Sequence, residues 1–393
     1  MTRIANQNLL RAGIAGGWIF GGRLIGLGWT AALVAVLGIG SYGQYAIAFA
    51  LAAIIAAPLD NPFGVRALRI DLDRYSAERS ARTLLGTVLV LAGAAAYFDS
   101  FVVGFALIVA GGEITFNSLK SLALRDGYPN IVQRWDVARQ IASVGLGLAC
   151  LFLVTGAPLP LVCACYLAPY LVVVLVAAIV TLRSRPRLPA PPHEVWLLFV
   201  DALALAAYIQ GDILLLGALA GSAVAGVYSL ASLVCLAVVS LAQMFAQTFH
   251  ERLRLAGGAR DAGPSQRATW TLALLLAGLV LIGGIIVLAT GLSPSLGWTL
   301  VVMSVFVGLR CVTVVAQTVL YLRGRDARRV LGAVIAALLK LVLIAELAWF
   351  GPVGAGVACV IAELLLLAWF TRLAGRNAVP EPSFASPKNG QTR

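Results

Sequence analysis

Residues 208–228 read YIQGDILLLGALAGSAVAGVY. Asp212 stands in a segment otherwise suited to lipid, and a small-residue turn then opens a further apolar run. An ionisable side chain at membrane depth costs on the order of several kcal/mol unless it is paired or hydrated, so Asp212 marks a candidate functional site. Asp201 lies upstream on the same run. At about 100° per residue, Asp201, Leu205, Tyr208 and Asp212 fall on one helix face roughly 16 Å long, about half the hydrocarbon thickness. Such a stripe either packs against another helix or faces a polar path.

The rest of the chain fits this membrane setting. Of 393 residues, 61% are hydrophobic and only 12% are charged, and the mean hydropathy is +0.94. A soluble domain would be about one quarter charged. The composition therefore predicts an all-α polytopic membrane protein without a large soluble domain. Twelve apolar runs can be marked, at roughly 12–38, 43–65, 83–98, 101–122, 138–156, 160–182, 195–217, 223–248, 269–290, 297–322, 330–350 and 353–371. The third is short, with Arg82 and Asp99 expected to snorkel at its ends. The six cysteines all lie in apolar runs, without Cys/His clusters, so free buried thiols and no metal site are expected. The first apolar run has no cleavage-like ending, so no signal peptide is expected.

Charge fixes the orientation. The net charge is +12, a value that could suggest nucleic acid, but its placement does not. Of 29 Lys and Arg, three (Arg23, Arg310 and Lys340) are embedded; the others sit at the termini or beside alternate connections. The positive-inside rule puts both termini in the cytoplasm, with membrane lipids rather than nucleic acid as the partner of the basic loops. Trp196, Trp270, Trp298, Trp349 and Trp369 fall near run ends, as interface aromatics should.

The chain also repeats itself. Gly40-Ser-Tyr-Gly-Gln-Tyr45 matches the stretch from Gly221 to Gly226-Val-Tyr228, and Ser121-Leu-Ala-Leu-Arg125 matches Val319-Leu-Tyr-Leu-Arg323. The offsets are close to half the chain, and six spans per half give both halves the same orientation. Parallel repeats imply two lobes with a substrate path between them. The expected organisation is an N-lobe over 1–183, a Pro- and Arg-rich cytoplasmic linker over 184–194, a C-lobe over 195–376 and a disordered tail over 377–393.

Several embedded residues are candidates for chemistry. Arg23 lies among Gly21, Gly22 and Gly26 and needs either an internal carboxylate or an anionic substrate. Glu113, Asn117 and Lys120 share one face of the fourth run. Arg310, Thr313 and Gln317 occupy the matching face of the tenth, so Glu113 and Arg310 are near-equivalent places of opposite sign. Either is a cavity residue or a packing ion pair. Pro58-Leu-Asp60-Asn-Pro62 predicts a helix break beside an acid, or a simple kink. Lys340, Glu346 and Glu363 lie in the last two runs, and Lys340 with Glu363 is a candidate pair. Arg23, Arg310, Lys340, Tyr208 and Lys120 are the candidate substrate-binding residues. Asp60, Glu113, Asp201 and Asp212 are candidates for ion coupling or gating, to H+ or Na+. No G-x-x-x-x-G-K-[ST] occurs, so no ATP cofactor is expected through a P-loop.

These features resemble a bacterial polysaccharide (O-antigen-type) flippase of the multidrug/oligosaccharidyl-lipid/polysaccharide exporter superfamily. The resemblance rests on Gly26-Leu-Gly28 through Gly43-Gln-Tyr45, on Asp212-Ile-Leu-Leu-Leu-Gly217 with Gly226-Val-Tyr228, on Leu322-Arg-Gly-Arg325, and on Gly351-Pro-Val-Gly354-Ala-Gly-Val. It implies twelve helices in two six-helix lobes around a V-shaped central cavity. It also implies that a polyprenyl-diphosphate-linked oligosaccharide is flipped by alternating access in the bacterial inner membrane, alongside other polysaccharide-assembly proteins. Helices 1, 2, 7 and 8 would line the cavity, with Arg23, Asp60, Asp201 and Asp212. Lys340 departs from the polar amides that the family often carries in helix 11. A cation-coupled drug exporter of the same superfamily favours acids over cations in the cavity. A membrane glycosyltransferase or polymerase would need a sizeable outer loop, and every predicted outer turn is short.

Overall fold

The computed structural model describes residues 2–67, 69–126, 128–249, 252–253, 256, 263–322 and 326–375, with side chains placed for most of them. All described regular structure is helical. The helices are α1 (Thr2–Arg66), α2 (Leu72–Ala96), α3 (Phe101–Arg125), α4 (Pro129–Leu153), α5 (Leu159–Thr181), α6 (Pro192–Ala220), α7 (Ser222–Gln247), α8 (Gln266–Ala289), α9 (Pro294–Leu322), α10 (Asp326–Leu347) and α11 (Gly351–Gly375). Arg323, the Arg323–Arg325 part of one resemblance motif and the tail over 377–393 lie outside the described residues.

Among the described residues, nine segments are long and apolar enough to cross a membrane. Two of them, Gly21–Arg66 and Arg328–Leu373, are 46 residues long, or about 69 Å if straight, against about 30 Å of hydrocarbon. Each contains a break. α1 is interrupted at Gly38, whose φ of 80° suits glycine alone. The other is interrupted by a 3-10 turn over Ala348–Phe350 and by Gly351 at φ 65°.

The structure corrects three expectations about the helices. No break occurs at Pro58 or Pro62, because the backbone of α1 stays helical through both. Their rings are buried, and the neighbouring Asn61 Nδ2 donates to the Leu198 carbonyl of α6 at 2.9 Å, so packing holds the segment that the lost amides would loosen. α2 starts about three turns of helix earlier than its apolar run, with Asp71 capping the Arg74 amide at 2.9 Å. That bond holds the Asp71 carboxyl below its usual range. Hydropathy missed this start because Arg74, Glu78, Arg79 and Arg82 fill it; Glu78 and Arg82 face protein and are buried, so Arg82 does not snorkel. α4 likewise begins at Pro129, which puts Arg139 inside the helix rather than beside a connection.

The chain forms two compact units, 1–226 and 227–393. In the first, α1 lies along α3, α4 and α6, α2 pairs with α3, and α5 packs on α3 and α4. The core is aromatic. Trp29 stacks on Tyr166 at 5.4 Å, and Tyr45 meets Phe105 at 5.6 Å and Tyr166 at 6.2 Å. In lipid, helices associate through small residues that let backbones approach. Gly86 and Gly93 of α2 face Gly111 and Gly104 of α3: a Cβ on Gly86 would stand 2.6 Å from the Gly111 carbonyl oxygen, and one on Gly93 2.9 Å from that of Gly104. In the second unit α9 packs on α8 and α11, and α10 on α11. There a Cβ on Gly284 would lie 3.1 Å from the Gly297 oxygen.

The two repeat motifs meet each other. Gly43 and Gly226, equivalent in the repeat, sit in direct backbone contact. A Cβ on Gly226 would stand 2.7 Å from the Ile39 carbonyl oxygen and 3.1 Å from the Gly43 Cα. Gly226→Ala should therefore lower stability by about 1–3 kcal/mol through forced backbone movement. Gly278→Ala, at a position with nothing within 4 Å, should leave it unchanged. Thermal unfolding of the detergent-solubilised protein checks both, and equal midpoints for the two variants would contradict the contact.

Candidate functional site

The charged end of the first unit is built where α1 finishes, α2 begins and α6 starts. Arg66 is buried and uses all three guanidinium nitrogens. Its Nε and Nη2 donate to Glu78 at 3.1 and 2.9 Å, and its Nη1 to Glu194 of α6 at 2.6 Å. Arg74 also reaches Glu78 at 3.1 Å and donates to the Ala190 carbonyl at 2.9 Å. The Arg187 amide donates to the Ala77 carbonyl at 3.1 Å. The connection before α6 is thus sewn to α2, and α6 to the end of α1.

One layer deeper, Asp60 accepts a fork from Arg82, with Nε and Nη2 each at 2.6 Å, and a third bond from Asn117 Nδ2 at 2.8 Å. A carboxylate held by a bidentate guanidinium and an amide has little capacity left for another partner. A small, partly open pocket adjoins this pair, lined in part by Phe63, Tyr75, Glu78, Arg79, Arg82 and Ser121.

At the middle of α3, Glu113 forms an ion pair with Arg139 of α4 at 2.8 Å and accepts from the Tyr170 hydroxyl of α5 at 3.0 Å. The Arg139 guanidinium lies 4.4 Å from the Tyr170 ring centroid and 5.3 Å from that of Phe116. Lys120, buried, pairs with Asp136 of α4 and sits 4.3 Å from the Phe116 ring. The shared face expected for Glu113 and Lys120 therefore meets a shared face of opposite order, Asp136 and Arg139.

Arg139 was not among the embedded cations expected from the sequence. The signal was present. Asp136 and Arg139 are three apart, so they project from one side of a helix, and their signs mirror Glu113 and Lys120 on an antiparallel neighbour. Arg82 and the Arg66–Glu78–Glu194 cluster were missed for the same reason, because an apolar-run boundary assigned them to connections.

α6 carries the stripe as drawn, but its burial is uneven. Tyr208 is buried, Asp212 is 1% exposed, Asp201 is half-buried and Leu205 faces outward. The Ile213 amide donates to Asp212 Oδ1 at 3.0 Å. Arg23 is half-buried in α1. Its glycine neighbours serve α4: Gln140 Nε2 donates to the Gly22 carbonyl at 2.7 Å, and a Cβ on Gly22 would meet Gln140 at 2.9 Å.

In the second unit Arg310 is buried, with Nη1 3.4 and 3.5 Å from the two oxygens of the fully buried Glu363. Glu363, a candidate partner for Lys340, is thus engaged by Arg310. Lys340 is buried and Glu346 exposed. The Tyr228 hydroxyl lies 3.0 Å from Cys359 Sγ. All six cysteines are free, five of them buried.

This arrangement is an all-helical, multi-pass membrane fold with charged pairs held inside its helix bundles. No family model matches the chain, and no curated protein sequence matches it. Solved structures do share the fold. One is the lipid II flippase MurJ in an inward-closed conformation, with a TM-score of 0.64 and 12% identity over 92% of this chain and 87% of that one. Another is a multidrug resistance MATE family transporter of the MOP superfamily in an inward-facing conformation, with a TM-score of 0.63 and 12% identity over 90% of this chain and 94% of that one.

Removing one member of a buried pair leaves an uncompensated charge, at about 3–5 kcal/mol. Asp60→Ala and Arg82→Ala should each destabilise the protein by that order, and the double variant should cost less than the sum of the two. Unfolding midpoints of the three variants measure this; strictly additive losses would show that the pair does not act as a unit.

Proposed function

We propose that this protein flips a polyprenyl-diphosphate-linked oligosaccharide from the cytoplasmic to the periplasmic leaflet by alternating access, for surface-polysaccharide assembly. The observation that carries this reading is the set of cations held within membrane-spanning segments, Arg23, Arg139, Arg310 and Lys340, in a fold shared with a lipid II flippase. A diphosphate headgroup is large, polar and anionic, while its prenyl tail can stay in lipid. The protein then has to supply a wet groove with cationic partners.

In this reading the chain crosses the bacterial inner membrane twelve times, with the Gly38 break and the turn at Ala348–Phe350 each separating two crossings. The basic connections and both termini face the cytoplasm. The halves divide at the linker over 184–194, and each supplies six helices. Arg23, Arg310, Lys340, Tyr208 and Lys120 contribute to substrate binding. Asp60, Glu113, Asp201 and Asp212 serve coupling to H+ or Na+, or gating. The buried pairs of Asp60 with Arg82 and Arg310 with Glu363 favour a structural contribution from these residues alongside any role in transport.

A second reading, export of drugs, draws support from the similar fold of a MATE family transporter. The embedded cations argue against it, since a cationic drug would need acids at those places.

The test is a deletion strain in which lipid-linked oligosaccharides are extracted and assigned to a leaflet. Their accumulation in the cytoplasmic leaflet, with loss of surface polymer, supports flipping. Normal pools together with raised sensitivity to cationic dyes would replace it with drug export. Arg23→Ala is expected to abolish complementation at normal expression, and full complementation would remove Arg23 from the mechanism.

A further inference from the structure

The arginines of the first unit differ in how fully they are used. Arg66 spends three nitrogens on two carboxylates, and Arg82 spends Nε and Nη2 on Asp60. Arg139 spends one. Its Nη2 faces Glu113, while Nε and Nη1 are buried and have no hydrogen-bond partner. Buried donors are almost always satisfied, so two open nitrogens on one guanidinium point to an acceptor that arrives in another state.

A second open donor lies on the same helix. Ser143, one helical turn further along the same face of α4, is fully buried and its Oγ has no partner. A buried helical hydroxyl can turn back to the carbonyl four residues before it, as Thr83, Thr115 and Thr181 do here. Ser143 does not. The Tyr170 and Phe116 rings meanwhile hold the guanidinium in place.

We infer that Arg139 and Ser143 form an oxyanion-binding site inside the first unit, held in reserve by Glu113, and that its ligand chemistry is phosphoryl. A guanidinium with two open nitrogens, on the same helix face as an open hydroxyl donor, suits paired phosphoryl oxygens. Glu113 is the removable partner. Its side chain is 28% exposed against 13% for Arg139, so it turns away from the pair more easily than Arg139 does. Anion and carboxylate then compete for one cation, and whatever weakens Glu113 as an acceptor strengthens anion binding. The identity of the biological occupant, a lipid-linked diphosphate, rests on the flippase reading; the site itself does not.

The experiment measures binding of inorganic pyrophosphate and of farnesyl diphosphate to the full-length protein in nanodiscs, with phosphatidylglycerol as a competitor. Glu113→Gln should tighten pyrophosphate binding about tenfold or reveal binding that the parent protein lacks. Arg139→Gln should weaken it at least tenfold relative to Glu113→Gln, and the double variant should behave as Arg139→Gln. Ser143→Ala should weaken it severalfold. Arg139→Lys keeps the charge and loses the fork, so it too should bind more weakly, and it serves if Arg139→Gln does not fold. Preference for farnesyl diphosphate assigns the site to the carrier lipid, whereas displacement by phosphatidylglycerol assigns it to bulk headgroups. The inference is overturned if no variant binds a diphosphate, if all bind within twofold of one another, or if Glu113→Gln loses binding as Arg139→Gln does, which is the pattern of a purely structural ion pair. Intact binding in a protein that flips nothing would remove the flippase reading and leave the site standing.

Discussion

A charge at membrane depth must find its counter-charge inside the protein, and this requirement organises the helix packing. Lipid offers no hydration, so each embedded ion determines which helix lies beside it. Asp60 brings α1, α2 and α3 together through Arg82 and Asn117. Glu113 joins α3, α4 and α5 through Arg139 and Tyr170. Arg66 ties the end of α1 to α2 and α6. In the second unit Arg310 and Glu363 do the same for α9 and α11.

Small residues set the distances over which those pairs form. The glycines of α2 and α3 let two backbones meet, and the Gly43–Gly226 contact does so between the repeat motifs. Close approach brings guanidinium and carboxylate within reach without long extended side chains. It also explains a division of labour along the helices. Among the described residues, alanine is the commonest buried apolar side chain and leucine the commonest large exposed one. An aromatic core around Trp29, Tyr45 and Tyr166 packs between helices of the first unit.

Saturation separates the charged residues by use. Arg66, Arg82 and Asp60 have their hydrogen-bonding capacity largely filled by protein, which suits architecture. Arg139 does not, although it lies deeper in its helix than the sequence suggested. That difference is invisible to hydropathy, which treats every arginine alike.

The sequence by itself determined the class. Apolar runs, alternating basic connections and the internal repeat were sufficient for an all-helical multi-pass protein, because lipid forces backbone hydrogen bonds into helices. It also marked Asp212, Lys120 and Glu113 as charges within apolar runs. It misjudged the start of α2 and of α4, since charged residues that face protein look the same in a hydropathy profile as residues that face water. It read Pro58 and Pro62 as a break because proline removes an amide, whereas packing against α6 keeps the helix continuous. Which acid meets which base was decided by tertiary structure alone. Pairing depends on the rotation and spacing of neighbouring helices, and those follow from contacts between glycines far apart in the chain.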